Sequence, residues 1–171
     1  MTRRAPSDAS IGRSQDQAHD EAARQVLRQF RQVFNAVKTH FQQVERTVGL
    51  GGAQVWALSV VQQSPGIGVG ALAAEMNIHQ STASNLVKAL VERGLVRMTR
   101  SPVDRRVAQL KLLASGTRLL RRTPGPYAGV LPEALAALDA RTLKRIRADL
   151  AKLIAVLEVD EGSAGIPLAE L

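Results

Sequence analysis

Residues 101–110 read "SPVDRRVAQL": one carboxylate, Asp104, stands directly before two guanidinium groups, Arg105 and Arg106, between apolar runs. Just upstream, "QSTASNLVK" carries Gln80, Ser81, Thr82, Ser84, Asn85 and Lys88, which are short hydrogen-bonding side chains and one cation with no acid among them. Neither set pairs a nucleophile with a base, and neither clusters metal ligands. Together they supply donors, acceptors and positive charge, the chemistry that holds a polyanion and reads its edges.

The charge distribution points the same way. Residues 79–122 hold ten Lys or Arg (Lys88, Arg93, Arg97, Arg100, Arg105, Arg106, Lys111, Arg118, Arg121 and Arg122) against two acids, Glu92 and Asp104. The remainder is balanced, so the whole net charge of +8 sits in about a quarter of the 171 residues. An excess so confined suggests a surface built for nucleic acid rather than a generally basic protein.

Other classes find little support. The sequence has no cysteine, which leaves no disulfide, thiolate metal site or thiol redox sensor. The three histidines, His19, His40 and His79, are scattered, with no H-x-x-x-H zinc pair; no phosphate loop and no G-x-S-x-G is present. No enzyme, cofactor or metal site is therefore expected. No apolar run is long enough to span a membrane, and the first residues lack the apolar segment of a signal peptide, so a cytoplasmic protein without membrane contact is expected.

The elements that must position these residues are mostly helical. Residues 1–19 are polar and without periodicity and read as a flexible arm. From 21 to 48 apolar residues recur every seven positions, Ala23, Phe30, Val37 and Val44 in one series and Leu27, Phe34, Phe41 and Val48 in another, which predicts a long amphipathic helix ended by "GLGG". A second helix over 53–63 is broken by "SPGIGVG". Two short helical patterns, "VGALAAEM" and "QSTASNLVKALVERG", follow, joined by Asn77, Ile78 and His79. The period then changes to two: "LVRMTR" and "RVAQLKLL" flank "SPVD" as a β-hairpin. Helical patterns resume in "SGTRLLRR", break at "TPGP", and continue through "YAGVLPEALAAL" and "ARTLKRIRADLAKLIAVLE", where Leu143, Ile146, Leu150, Leu153 and Leu157 make an apolar stripe. Residues 159–171 read as a loose tail.

Two helices about a tight turn followed by a hairpin are the parts of a winged helix-turn-helix. Ala73 or Ala74 is small where the helices must approach, and Asn77 tolerates a left-handed backbone in the turn. On the second helix Ala83, Leu86, Val87 and Leu90 face inward, which turns Ser81, Thr82, Ser84, Asn85 and Lys88 outward, toward a major groove. Arg97 and Arg100 lie on the first strand, and Arg105 and Arg106 at the tip, where an arginine can enter a narrow minor groove. Asp104 is expected to brace the wing by pairing with a neighbouring arginine.

The stretch "LAAEMNIHQSTASNLVKALVERGLVRMTRSPVDRRVAQLKLLASG" resembles the winged-helix core of the MarR family of bacterial transcription regulators. The "ERGLV" step, the D-R-R wing and the later "LLASG" carry the resemblance, which extends with flanking helices over residues 20–158. It implies a mainly α fold: a DNA-binding core at about 53–113 with a small β-hairpin wing, flanked by dimerisation helices at about 21–48 and 115–158. It further implies a homodimer on a palindromic double-stranded operator, usually a repressor released by a small aromatic acid, such as a hydroxynicotinate- or salicylate-like compound. The chain departs from the family at Asn85, where arginine is frequent, at His79, where a capping residue is common, at Leu113, where threonine is usual, and at "TPGP", which interrupts a commonly continuous helix.

For an effector, His40, Phe41 and Trp56 are the candidates, since an imidazole and an indole N–H could orient a flat carboxylate between apolar walls. Trp56 as plain core and His40 as a satisfied boundary residue are the alternatives. For the whole chain the alternative is a nucleoid-type or other winged-helix nucleic-acid-binding protein without effector response.

Overall fold

The computed structural model describes residues 8–100, 108–157 and 165–170. The chain order is α1 (Asp8–Val48), α2 (Gly52–Gln63), α3 (Val69–Glu75), α4 (Gln80–Glu92), β1 (Val96–Arg100), β2 (Ala108–Leu112), α5 (Ala114–Arg122), α6 (Val130–Ala136), α7 (Ala140–Leu157) and a closing 3-10 turn, Leu168–Glu170. It is mainly α with a two-stranded antiparallel sheet. No helix among the described residues is long and apolar enough to cross a membrane.

Met1–Ala36 and Val37–Leu171 are two compact units. In the first, α1 begins at Asp8, so residues 8–19, expected as an arm, are helical. Apolar periodicity could not reveal this turn-by-turn extension, because residues 15–20 are exposed and, Ala18 apart, polar. Leu27 and Phe34 are also exposed, and the rings of Phe30 and Phe34 stack 6.4 Å apart.

The second unit is built on α2. Its residues are apolar almost all round, as a central helix requires, and Val55, Ala57, Leu58 and Val61 are fully buried. Around it pack Val44 of α1, Leu72 of α3, Leu86, Val87 and Leu90 of α4, Val96 and Leu110 of the hairpin and Leu120 of α5. Apart from Trp56 and Tyr127, which pack at its margin, this core is aliphatic, as the scarcity of aromatics requires. The hairpin register sets Val96 against Leu112, Met98 against Leu110 and Arg100 against Ala108. Leu110 also exchanges backbone hydrogen bonds with Gly66 (2.9 Å) and Ile67 (3.0 Å), which ties the hairpin base to the entry of the helix-turn-helix.

The expected tail is not loose where it is described. Pro167 is buried and Ala169 packs against the core, so the end of the chain returns to the winged helix. The apolar stripe of α7, in contrast, has no buried residue among the described residues.

Candidate nucleic-acid interface and the adjoining cavity

The turn between α3 and α4 forms as its residues dictate. Asn77 has φ +51°, the left-handed conformation that asparagine bears better than branched residues. The Ile78 amide donates to the Ala73 carbonyl (2.9 Å), and Ala73, rather than Ala74, is the small residue buried at the approach. Ala83, Leu86, Val87 and Leu90 are buried, as the periodicity requires. The opposite face of α4 is therefore fixed outward: Gln80, Ser81, Ser84, Asn85 and Lys88 are exposed and Thr82 half-exposed. Ser84 Oγ donates to the Gln80 carbonyl (2.8 Å), so its hydroxyl proton serves the helix and only its oxygen faces outward as an acceptor.

On the hairpin, Arg97 pairs directly with Lys111, and both are exposed. Like charges opposed across a ladder repel unless an anion lies between them. Among the described residues the ion pairs are Glu21–Arg24 and Asp149–Lys152, and neither involves Arg97 or Lys111. Lys111 was visible in the sequence only as one of ten cations; the strand register is what makes it a partner of Arg97. Arg93 belongs to the fold instead, since its Nη1 donates to the Gly49 carbonyl (2.7 Å) at the end of α1. Arg100 ends β1 opposite Ala108. Asp104, Arg105 and Arg106 lie outside the described residues.

Behind the turn lies a cavity of about 210 Å³, lined by Val37, Phe41, Gly52, Trp56, Met76, Asn77, Ile78, residues 128–132 and residues 166–169. The Phe41 ring occupies the places a Cβ would take on both Gly52 and Gly129, so two glycines let backbone close onto its faces. Of the three effector candidates the structure brings Phe41 and Trp56 to this cavity. His40 is not in its lining; its ring packs edge-on to Phe41 and its Nε2 donates to the Pro126 carbonyl (2.9 Å). Met76, Ile78 and residues 166–169 were not foreseen in the wall. The signal for the last was there to read, as "GIPL" is an apolar run inside a tail otherwise mostly small and acidic.

Comparison with known proteins bears on the same segment. A MarR family model matches residues 48–107, from the end of α1 through the helix-turn-helix and β1. A Thauera aromatica protein assigned to transcriptional regulation of the hcr operon is 33% identical over 86 residues, 48% of this chain and 52% of that protein. The chain thus spans about half the length of this curated relative. Among solved structures, a MepR-like protein complexed with pseudoligands is 18% identical, covers 78% of this chain and 92% of its own, and gives a TM-score of 0.54. The S. aureus MepR–DNA complex is 20% identical over 75% of this chain and 93% of its own, with a TM-score of 0.53. The structural matches share the fold of this chain, and within it residues 48–107 are similar to the MarR family.

Proposed function

We propose that the chain is a sequence-specific DNA-binding transcription regulator that acts as a homodimer, represses from a palindromic operator and is released by a small aromatic ligand. The observation that carries the DNA reading is the outward polar run of α4 from Gln80 to Lys88 (Gln80, Ser81, Thr82, Ser84, Asn85 and Lys88), none of them acidic, beside the opposed cations Arg97 and Lys111. That run offers bidentate donors and acceptors for base edges, and the cations offer contacts to phosphate. Arg100, Arg105 and Arg106 continue the series, with Asp104 as brace. The MepR structure bound to DNA supports the assignment by its shared fold.

Dimerisation is supported by large apolar side chains exposed among the described residues: Leu27 and Phe34 on α1, and Leu150, Leu153, Ile154 and Leu157 on α7. Apolar surface of this kind rarely stays in water. The ligand reading rests on the cavity beside Phe41 and Trp56. A benzene-sized ring fits an apolar space of about 150 Å³, so about 210 Å³ holds one ring with a small substituent. Donors among the lining side chains are the Trp56 indole and the Asn77 amide, which suit a hydroxyl or one carboxylate oxygen.

Footprinting on duplexes selected from a random-sequence library tests the core of this reading. One short protected palindrome is the expected result. Protection spread along the DNA would favour a nucleoid-type protein instead. A thermal-shift screen of aromatic carboxylates, followed by release of the selected duplex, tests the effector.

A further inference from the structure

One wall of the cavity is made by the end of the chain itself, and that wall also touches the start of the reading helix. We propose that residues 165–169 form a strap that closes the cavity over Trp56 and holds the first residue before α4, and that a ligand enters by displacing it. This inference rests on the reading of the cavity as an effector site.

Three observations converge. First, the strap is seated: Pro167 is buried and Ala169 packs against the core, while Ile166 and Leu168 line the cavity. Second, the seat is made to fit. The His79 ring lies where a Cβ on Gly165 would be, so a larger residue there could not approach as closely. Third, the strap is bonded to the reading helix. The His79 amide donates to the Gly165 carbonyl (3.3 Å), and the His79 carbonyl in turn accepts from the Ala83 amide (3.0 Å), opening the α4 hydrogen-bond series. His79 is the N-cap of α4 and makes no side-chain cap to the helix. The strap thus holds through the backbone the residue that begins the helix.

The hold is partial. Ile166 and Leu168 keep 44% and 42% of their surface in water, so much of the strap's apolar surface is uncommitted. The 3.3 Å bond is at the long end of the N–H···O range. Proline stiffens the segment and lowers the entropy lost when it seats. A molecule taking the space beside Trp56 competes with Ile166 and Leu168 for the same wall. Once they leave, Gly165 leaves His79, and α4 loses a tether at the end nearest the bases it would read.

Trp56 is the sole tryptophan, so its emission reports on this cavity without added label. The probe is acrylamide, a small neutral quencher. The test compares the parent with a chain ending at Ala164 and with full-length Gly165→Val, which keeps the length but sets a side chain against the His79 ring. Both variants should show about twofold or more stronger quenching and about tenfold faster exchange of the His79 amide, as expected where a segment opens locally. Circular dichroism identifies folded variants, and Gly165→Val decides should the shortened chain not fold. Parent-like quenching and exchange in a folded variant would overturn the strap. Stronger quenching with unchanged His79 exchange would overturn its link to α4. Neither readout uses DNA, so a failure of the regulator reading in footprinting would leave this result standing on its own.

Discussion

His40 Nε2 on α1 lies 2.9 Å from the carbonyl oxygen of Pro126, a residue 86 positions away. The ring therefore carries its hydrogen on Nε2 and ties α1 to the segment that leads into Gly129, against which Phe41 is pressed. His40 shapes the cavity through this loop rather than by lining it. His40→Ala should cost about 1 kcal/mol, the usual worth of such a bond, with His40→Gln recovering part of it. Urea denaturation at constant slope measures the loss. A parent-like midpoint together with a lost ligand response would instead make His40 a ligand contact.

Two glycines should respond with opposite signs to the same change. A Cβ on Gly116 would lie 2.5 Å from the Leu95 carbonyl oxygen and 2.8 Å from Leu112 Cδ1. The carbonyl is backbone and cannot swing aside, so Gly116→Ala must push α5 off the hairpin base. That should destabilise by about 1–3 kcal/mol, more than the gain in helix propensity returns. Gly70 in α3 has nothing among the described residues within 4 Å of a Cβ, and Gly70→Ala should stabilise by about 0.5 kcal/mol through the unfolded chain. Thermal unfolding of both variants gives the comparison. Equal shifts would mean the close approach at Gly116 carries no weight.

Asp139 begins α7 with its carboxylate accepting from the Thr142 hydroxyl (2.6 Å) and the Thr142 amide (3.0 Å). Those bonds, the hydroxyl first, favour the ionised form and hold its pKa below the usual 3.8. A pKa lowered by folding adds stability that is present above the unfolded value and lost as pH falls through the folded one. Asp139→Ala should thus be less stable than the parent at neutral pH, with a gap that closes in acid below the usual aspartate value. Denaturation midpoints at a series of pH values test this. A gap that stays constant into acid would rule out the charged cap.

Much of this fold could be read because period and punctuation agree in the sequence. The inward quartet Ala83, Leu86, Val87 and Leu90, the left-handed Asn77 and both strands follow from local pattern alone. The exposed reading face follows by elimination from the buried one. What escaped were relations set by distance in the chain. Pattern cannot show that Lys111 opposes Arg97, since that depends on strand register. Nor can it show that Arg93 turns from the basic surface to Gly49, or that Ile166 and Pro167 return to Trp56. The early start of α1 escaped for the opposite reason, as a solvated helix needs no apolar period.

The wing offers a test in which simple charge counting and loop bracing predict opposite signs. If Asp104 holds the wing through an arginine, Asp104→Ala should weaken operator binding although it removes a negative charge. Arg105→Ala should weaken it most where flanking sequence is A·T-rich and the minor groove narrow. Tighter binding by Asp104→Ala would end the bracing proposal.

Three residues on or beside α4 should separate base reading, phosphate contact and folding. Asn85 is exposed on the outward face of α4, and its amide matches the donor–acceptor pair of an adenine edge. Asn85→Ala should reduce discrimination between selected and random duplex by about 1–3 kcal/mol. Lys88 is exposed on the next turn. Lys88→Ala should weaken both duplexes alike and flatten the salt dependence by about 0.9 for each phosphate no longer neutralised. Arg93 carries the same charge close by, but its guanidinium is committed to the Gly49 carbonyl. Arg93→Ala should therefore leave the salt slope at the parent value and lower stability by about 1 kcal/mol. Titrations at several salt concentrations, with denaturation of each variant, measure all three. Equal losses on selected and random duplex for Asn85→Ala would sink the base-reading role. A flattened slope for Arg93→Ala would show that its tie to Gly49 yields to DNA.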